Sequence, residues 1–150
     1  MPAEGHVRPA SESDIAALLA LIETLFAIET DFTFDAEKTE RALRLILASP
    51  ASRIFVYDAQ GMVLGTATLH TLISTAEGGP AGHVEDVVVA PGARGQGIGR
   101  ALMGAVATEA RARGMTRLQL FADLKNQPAL DFYAADGWHA LDLIGRRKML

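Results

Sequence analysis

The stretch from Val84 to Ala122 constrains the fold of this chain more than any other. Val84-Glu85-Asp86-Val87-Val88-Val89-Ala90 reads as a valine-rich strand halted by Pro91. Arg94-Gly95-Gln96-Gly97-Ile98-Gly99 follows, then a helix over Ile98–Ala112 with Gly114 placed to cap it, then a strand over Arg117–Ala122. A strand, a turn, a helix and a second strand in that order make a parallel crossover, which is right-handed in nearly all sheets.

The preceding residues supply antiparallel partners. Arg53–Asp58 and Val63–Ile73 flank the turn Ala59-Gln60-Gly61 as a hairpin, and Ser74–Gly82, containing Gly78-Gly79-Pro80, reads as a loop. Earlier, His6-Val7-Arg8 opens a short strand. Ser11 and Ser13 offer helix caps, and Ile15, Leu18, Leu19, Ile22, Leu25 and Phe26 recur at helical spacing. Residues 27–35 read as an irregular link, and Ala36–Ala48 as a second helix ended before Pro50. Gln127–Ala135 reads as a last helix, and the tail from Trp138 as one or two closing strands. The fold class is therefore α/β, a central mixed sheet flanked by helices, and the 150 residues suit a single domain spanning 1–150.

Composition narrows the chemistry. The absence of cysteine removes disulfides, thiolate metal sites and a cysteinyl acyl-enzyme, and no metal site is expected. A net charge of −4 weighs against nucleic acid as a partner. Met1–Arg8 lacks the apolar core of a signal peptide, and no apolar run reaches bilayer length, so a cytoplasmic protein without a membrane partner is expected. Nothing fixes the oligomeric state, and a homodimer is among the states left open.

The glycine loop has a plain reading, a tight strand-to-helix turn, and a functional one. Glycines let backbone approach a ligand, and the first amides of a helix point outward with the positive end of its dipole. Together these make an anion site suited to phosphate, with Arg94 and Arg100 adding charge. A P-loop would need Gly-Lys-Ser/Thr, which is absent. A dinucleotide loop would want a small residue where Arg100 stands, and it would not need the preceding meander.

Arg94-x-x-Gly97-x-Gly99 resembles the Q/R-x-x-G-x-G/A signature of the GNAT N-acetyltransferase superfamily. Val84–Pro91 is similar to that family's bulged central strand, and Asn126, Ala129, Phe132-Tyr133 and Gly137-Trp138 match its later pattern in order and spacing. Gly82-His83-Val84-Glu85-Asp86 resembles the same strand of glucosamine-6-phosphate N-acetyltransferases. The resemblance implies acetyl-CoA as cofactor. It places the coenzyme A pyrophosphate on the amides of Arg94, Gly95, Gln96, Gly97, Ile98, Gly99 and Arg100, and the pantetheine along Val87, Val88 and Val89. Asn126 and Phe132 would add contacts, although Asn126 serves equally as a helix cap.

Acetyl transfer to an amine needs a base, because holding a primary amine neutral at pH 7 costs roughly 4 kcal/mol. Glu85 is the first choice, Asp86 the second and His83 the third. Adjacent strand residues face opposite sides, so only one of the two acids can face the reacting centre unless a bulge separates them. The resemblance makes Tyr133 the acid beside the leaving sulfur; otherwise it is a helix tyrosine with a packed ring and a wet hydroxyl. The acceptor expected is a small-molecule amine attacking directly in a ternary complex. It would lie near residues 26–35, where Glu29, Asp31 and Asp35 interleave with phenylalanines, and near residues 73–82. A protein or peptide N-acetyltransferase and a non-catalytic acetyl-CoA-binding module are the alternatives.

Overall fold

Two helices cross one face of the sheet because their apolar stripes match it. The computed structural model describes residues 4–150; Met1–Ala3, part of the segment Met1–Arg8 expected to carry no leader, lie outside the described residues. Strand β1 (His6–Pro9) leads through a 3-10 turn at Glu12–Asp14 into α1 (Ile15–Ile28). Asp14 caps that turn by accepting from the Ser11 amide at 2.8 Å. It also receives both terminal nitrogens of Arg8, at 2.8 and 2.9 Å, while Arg8 Nε donates to Asp58 at 2.9 Å. Helix α2 (Ala36–Ala48) starts where Asp35 accepts from the Lys38 amide. Ile15, Leu18, Ile22 and Leu43 from these helices bury Ile54 and Val56 of β2 (Ser52–Ala59).

Strands β3 (Met62–Ser74) and β4 (Gly79–Val89) complete the antiparallel meander, and β5 (Leu118–Leu120) joins β4 in parallel, giving the order β1-β2-β3-β4-β5. Helix α3 (Ile98–Ala112) connects the last two strands and buries Ile98, Leu102, Met103 and Val106. It ends at Gly114, φ +77°, with the Met115 amide reaching back to the Ala110 carbonyl at 2.9 Å. This is the left-handed helix stop that glycine permits.

The expected loop Ser74–Gly82 is instead mostly sheet. Only residues 75–78 turn, with Gly78 at φ +67°, and Gly79 and Pro80 already pair with Ser74 and Ile73. Proline sits at a strand end without losing a ladder bond, because the parallel ladder to β5 begins only at Gly82. The strand expected over residues 117–122 is shorter, Leu118–Leu120. No closing strand forms among residues 138–150: the chain there finds no ladder partner, and Leu141, Leu143 and Ile144 are exposed.

The chain divides into two compact units, one ending at Leu120 and the other Phe121–Leu150. In the second, α4 (Gln127–Ala135) is capped by Asn126, whose side chain accepts from the Ala129 amide at 3.3 Å. Gly137, φ +88°, ends the helix, and the Trp138 amide bonds the Tyr133 carbonyl at 2.9 Å. The glycine–tryptophan pair is thus a helix stop that folds Trp138 back over Tyr133, ring centroids 6.0 Å apart.

Candidate active site

Strand β4 carries a bulge where the two candidate acids sit. Glu85 pairs with Thr68 and Val88 with Thr66, so Asp86 and Val87 together span the place opposite a single residue, Ala67. Asp86 takes φ +52°, a left-handed conformation rare for any residue with a side chain and more accessible to aspartate than to most. The bulge keeps Glu85 and Val88 on the face covered by α1, where Val88 packs on Leu21 and Leu25.

The two carboxyls differ sharply. Glu85 Oε1 lies 3.1 Å from His83 Nε2, and Oε2 lies 3.5 Å from His70 Nε2. The His70 imidazole, and after it His83, hold the Glu85 carboxyl below its ordinary range, against a partial burial that acts the other way. Burial, then the charge of Glu85, pushes Asp86 up to about 6. Sequence reasoning missed His70 and the Ser52 hydroxyl, 2.8 Å from its Nδ1. The available signal was a lone imidazole inside the apolar run Leu69-His70-Thr71-Leu72.

Beyond Val84, no strand among the described residues pairs with β4 on the side away from β3. Its ladder with β5 covers only Gly82–Val84 against Leu118–Leu120. Glu85–Val89 therefore continue past the end of that ladder with an open edge, suited to an extended amide-bearing ligand. After the 3-10 turn Pro91–Ala93, Gly95 and Gly97 adopt φ +74° and +82°, and a Cβ at either would meet nothing within 4 Å. The glycines are therefore set by backbone conformation, and the surface above them is open. The first intrahelical bond of α3 runs from Ala101 N to Gly97 O, leaving the amides of Ile98, Gly99 and Arg100 without helical acceptors. Ile98 is buried in the core, so only its amide faces outward chemistry. Arg94 Nε donates to the Val89 carbonyl at 3.1 Å, tying the loop to the end of the open strand. The combination can hold an anion at the helix start and an extended chain beside β4.

In the second unit, Phe132, Tyr133 and Trp138 stack edge to face, with Phe132 and Tyr133 centroids 5.3 Å apart. Of the acceptor-side residues, Phe26 and Phe34 pack on the core beside α1 and α2, while Phe32 is partly exposed. Asp35 is engaged as the α2 cap. At the other expected acceptor segment, Glu77 is held by Thr116 and Arg117. Among the described residues no group of three or more acidic or histidine side chains gathers to hold a metal, and no helix is long and apolar enough to cross a membrane.

The family model described as "Acetyltransferase (GNAT) family" matches residues 21–138. A glucosamine 6-phosphate N-acetyltransferase of Trypanosoma brucei brucei is 31% identical over 136 residues, covering 90% of this chain and 89% of that one. An aminoalkylphosphonate N-acetyltransferase of Salmonella typhimurium is 29% identical, over 89% and 84% of the two chains. Among solved structures, one described as a predicted acetyltransferase with acetyl-CoA, from Clostridium acetobutylicum, superposes with a TM-score of 0.80 at 19% identity, over 96% of each chain.

Proposed function

Because the chain belongs to the acetyltransferase (GNAT) family and uses acetyl-CoA, we propose that it transfers the acetyl group to a primary amine of a small molecule, by direct attack in a ternary complex. The observation that carries this reading is the β4 bulge, which sets a partly buried carboxylate beside an open strand edge that leads into a free helix start.

The residues present fit the cofactor. The amides at Gly95–Arg100 suit its pyrophosphate, and the open edge at Val87–Val89 suits its amide-bearing arm. When bound, acetyl-CoA supplies the thioester carbonyl that is attacked. Asp86 takes the proton from the incoming ammonium; its raised value places it nearer neutrality than an ordinary aspartate, which is what a base working near pH 7 needs. Glu85, kept ionised by its two imidazoles, attracts the cationic amine and keeps the Asp86 carboxyl high. Tyr133 serves as the acid for the leaving sulfur, its ring fixed between Phe132 and Trp138. Asn126 contributes through its cap at the start of α4, and Phe132 through its ring. We read residues 1–150 as a single acetyltransferase domain that works in the cytoplasm.

The test is a mass-spectrometric screen with acetyl-CoA against aminosugar phosphates, aminoalkylphosphonates, polyamines, aminoglycosides and peptides. Acetylation of a small amine is the expected result. Transfer to peptides only, or binding of acetyl-CoA without transfer to any acceptor, overturns it.

A further inference from the structure

A polar row crosses four strands next to the bulge. Ser52 of β2 pairs with His70 of β3, His70 with His83 of β4, and His83 with Gln119 of β5. Residues paired directly across strands share one face of a sheet, and Glu85, two places beyond His83, shares it too. This is the face on which Ile54 and Val56 meet α1 and α2, with Thr66 and Thr68 buried beside them, and the row adds a line of four further hydrogen-bonding side chains to it. Neither histidine side chain is well exposed, at 24% for His70 and 19% for His83. Polar groups set into such a surface are costly unless they are bonded to one another.

The bonds fix the roles. The Glu85 carboxylate only accepts, so the His70 Nε2 that faces it at 3.5 Å carries the hydrogen, while Nδ1 is tied to the Ser52 hydroxyl. We propose that His70 is a positioning residue for acetyl transfer: backed by Ser52 and flanked by His83, it holds the Glu85 carboxylate in place beside the Asp86 bulge. The inference rests on the reading of Asp86 as the base. The groups facing His70 are the Ser52 hydroxyl from β2, and His83, Glu85 and Asp86 from β4.

The experiment follows the side-chain carboxyl carbons of Glu85 and Asp86 by carbon-13 NMR across pH in the free protein. In His70→Ala, the Glu85 midpoint is expected to rise by about half a pH unit or more, because its first donor is gone. His70→Gln, which keeps an N–H donor, is expected to recover part of that rise. Ser52→Ala, a mild change that guards against a folding defect, is expected to move the Glu85 midpoint the same way by less. If neither His70→Ala nor Ser52→Ala moves Glu85, the positioning role is overturned while the base assignment stands. An Asp86 midpoint at the ordinary aspartate value in the wild type overturns the base assignment instead.

Discussion

Glu85 and Asp86 are consecutive on β4, yet their carboxyls are driven in opposite directions: two imidazoles hold Glu85 low, and burial beside the charge of Glu85 pushes Asp86 to about 6. The bulge makes this possible. In an unbroken strand neighbouring side chains leave from opposite faces, whereas the left-handed turn at Asp86 re-aims the chain between them. In the proposed mechanism the two neighbouring acids do different work, one attracting a cation and the other accepting its proton.

Loss of the base should therefore be visible in rate and in pH profile. Asp86→Asn is expected to lower kcat by about 100-fold or more, the usual scale for a positioned base. The proposed base works as the carboxylate, so wild-type kcat/KM should fall as pH drops through about 6. The acidic limb near that pH should vanish in the variant. Steady-state rates from pH 5 to 9 with an acceptor found in the screen check both points.

The same substitution should make the fold more stable. The folded-state value of Asp86 lies above its ordinary 3.8, so the protonated form is the one the fold favours. The resulting stability is fully present below the ordinary value and is lost as pH rises through about 6. At pH 7 the ionised group is a burden, and asparagine also tolerates left-handed backbone. A gain of about 1–2 kcal/mol for Asp86→Asn at pH 7, shrinking toward pH 4, is expected in urea unfolding.

The crossover from β4 through α3 to β5 was legible because each boundary has a local cause: Pro91 stops a strand, Gly97 opens a helix and Gly114 closes it. Glu85 and Asp86 were legible as rare acids in a valine run. The rest depends on contacts far apart in sequence. Gly79 and Pro80 look like a loop, yet become strand because Ser74 and Ile73 lie opposite. His70 looks incidental until the register sets Ser52 on one side of it and His83 on the other. The tail from Trp138 has strand-like residues, but a strand needs a partner, and none pairs with it.

Gly82 tests the tight approach of β4 to the crossover. An added Cβ there would press into the Leu118 side chain and lie 2.9 Å from Leu69 Cδ1 and 3.0 Å from Met115 Sδ. Gly82→Ala should cost about 1–3 kcal/mol through overpacking. It should also disturb the Gly82–Leu118 pairing that begins the parallel ladder. Chemical denaturation of the variant checks this, and a cost near zero would mean that β5 shifts freely.

Gly97 tests the helix start by a different route. Its φ of +82° is poorly tolerated by alanine, but space around it is open, so Gly97→Ala strains only the backbone. A stability loss of about 1 kcal/mol is expected. The amides of Ile98 and Gly99 would turn with the strained residue, so the Kd for coenzyme A, read by calorimetry, should rise about tenfold. Gly104→Ala, inside α3 with open space, should leave the Kd unchanged.

Tyr133 separates an acid from a packing residue. Its ring sits against Phe132 and Trp138, and the Gly137 helix stop fixes that arrangement through backbone. Tyr133→Phe keeps the ring and removes only the hydroxyl, so stability should change by less than about 1 kcal/mol. A tyrosine has an ordinary value near ~10 and a thiol near ~8.5, so the phenol can lend its hydrogen bond to a departing sulfur that would otherwise leave as thiolate. Without it, kcat should fall about 10- to 100-fold while the KM for acetyl-CoA stays within about twofold. Because the loss is in protonating the thiolate, the deficit should narrow as the pH rises above the thiol's own value. Equal deficits at pH 7 and pH 9.5, or an unchanged kcat, would leave Tyr133 as a packing residue alone.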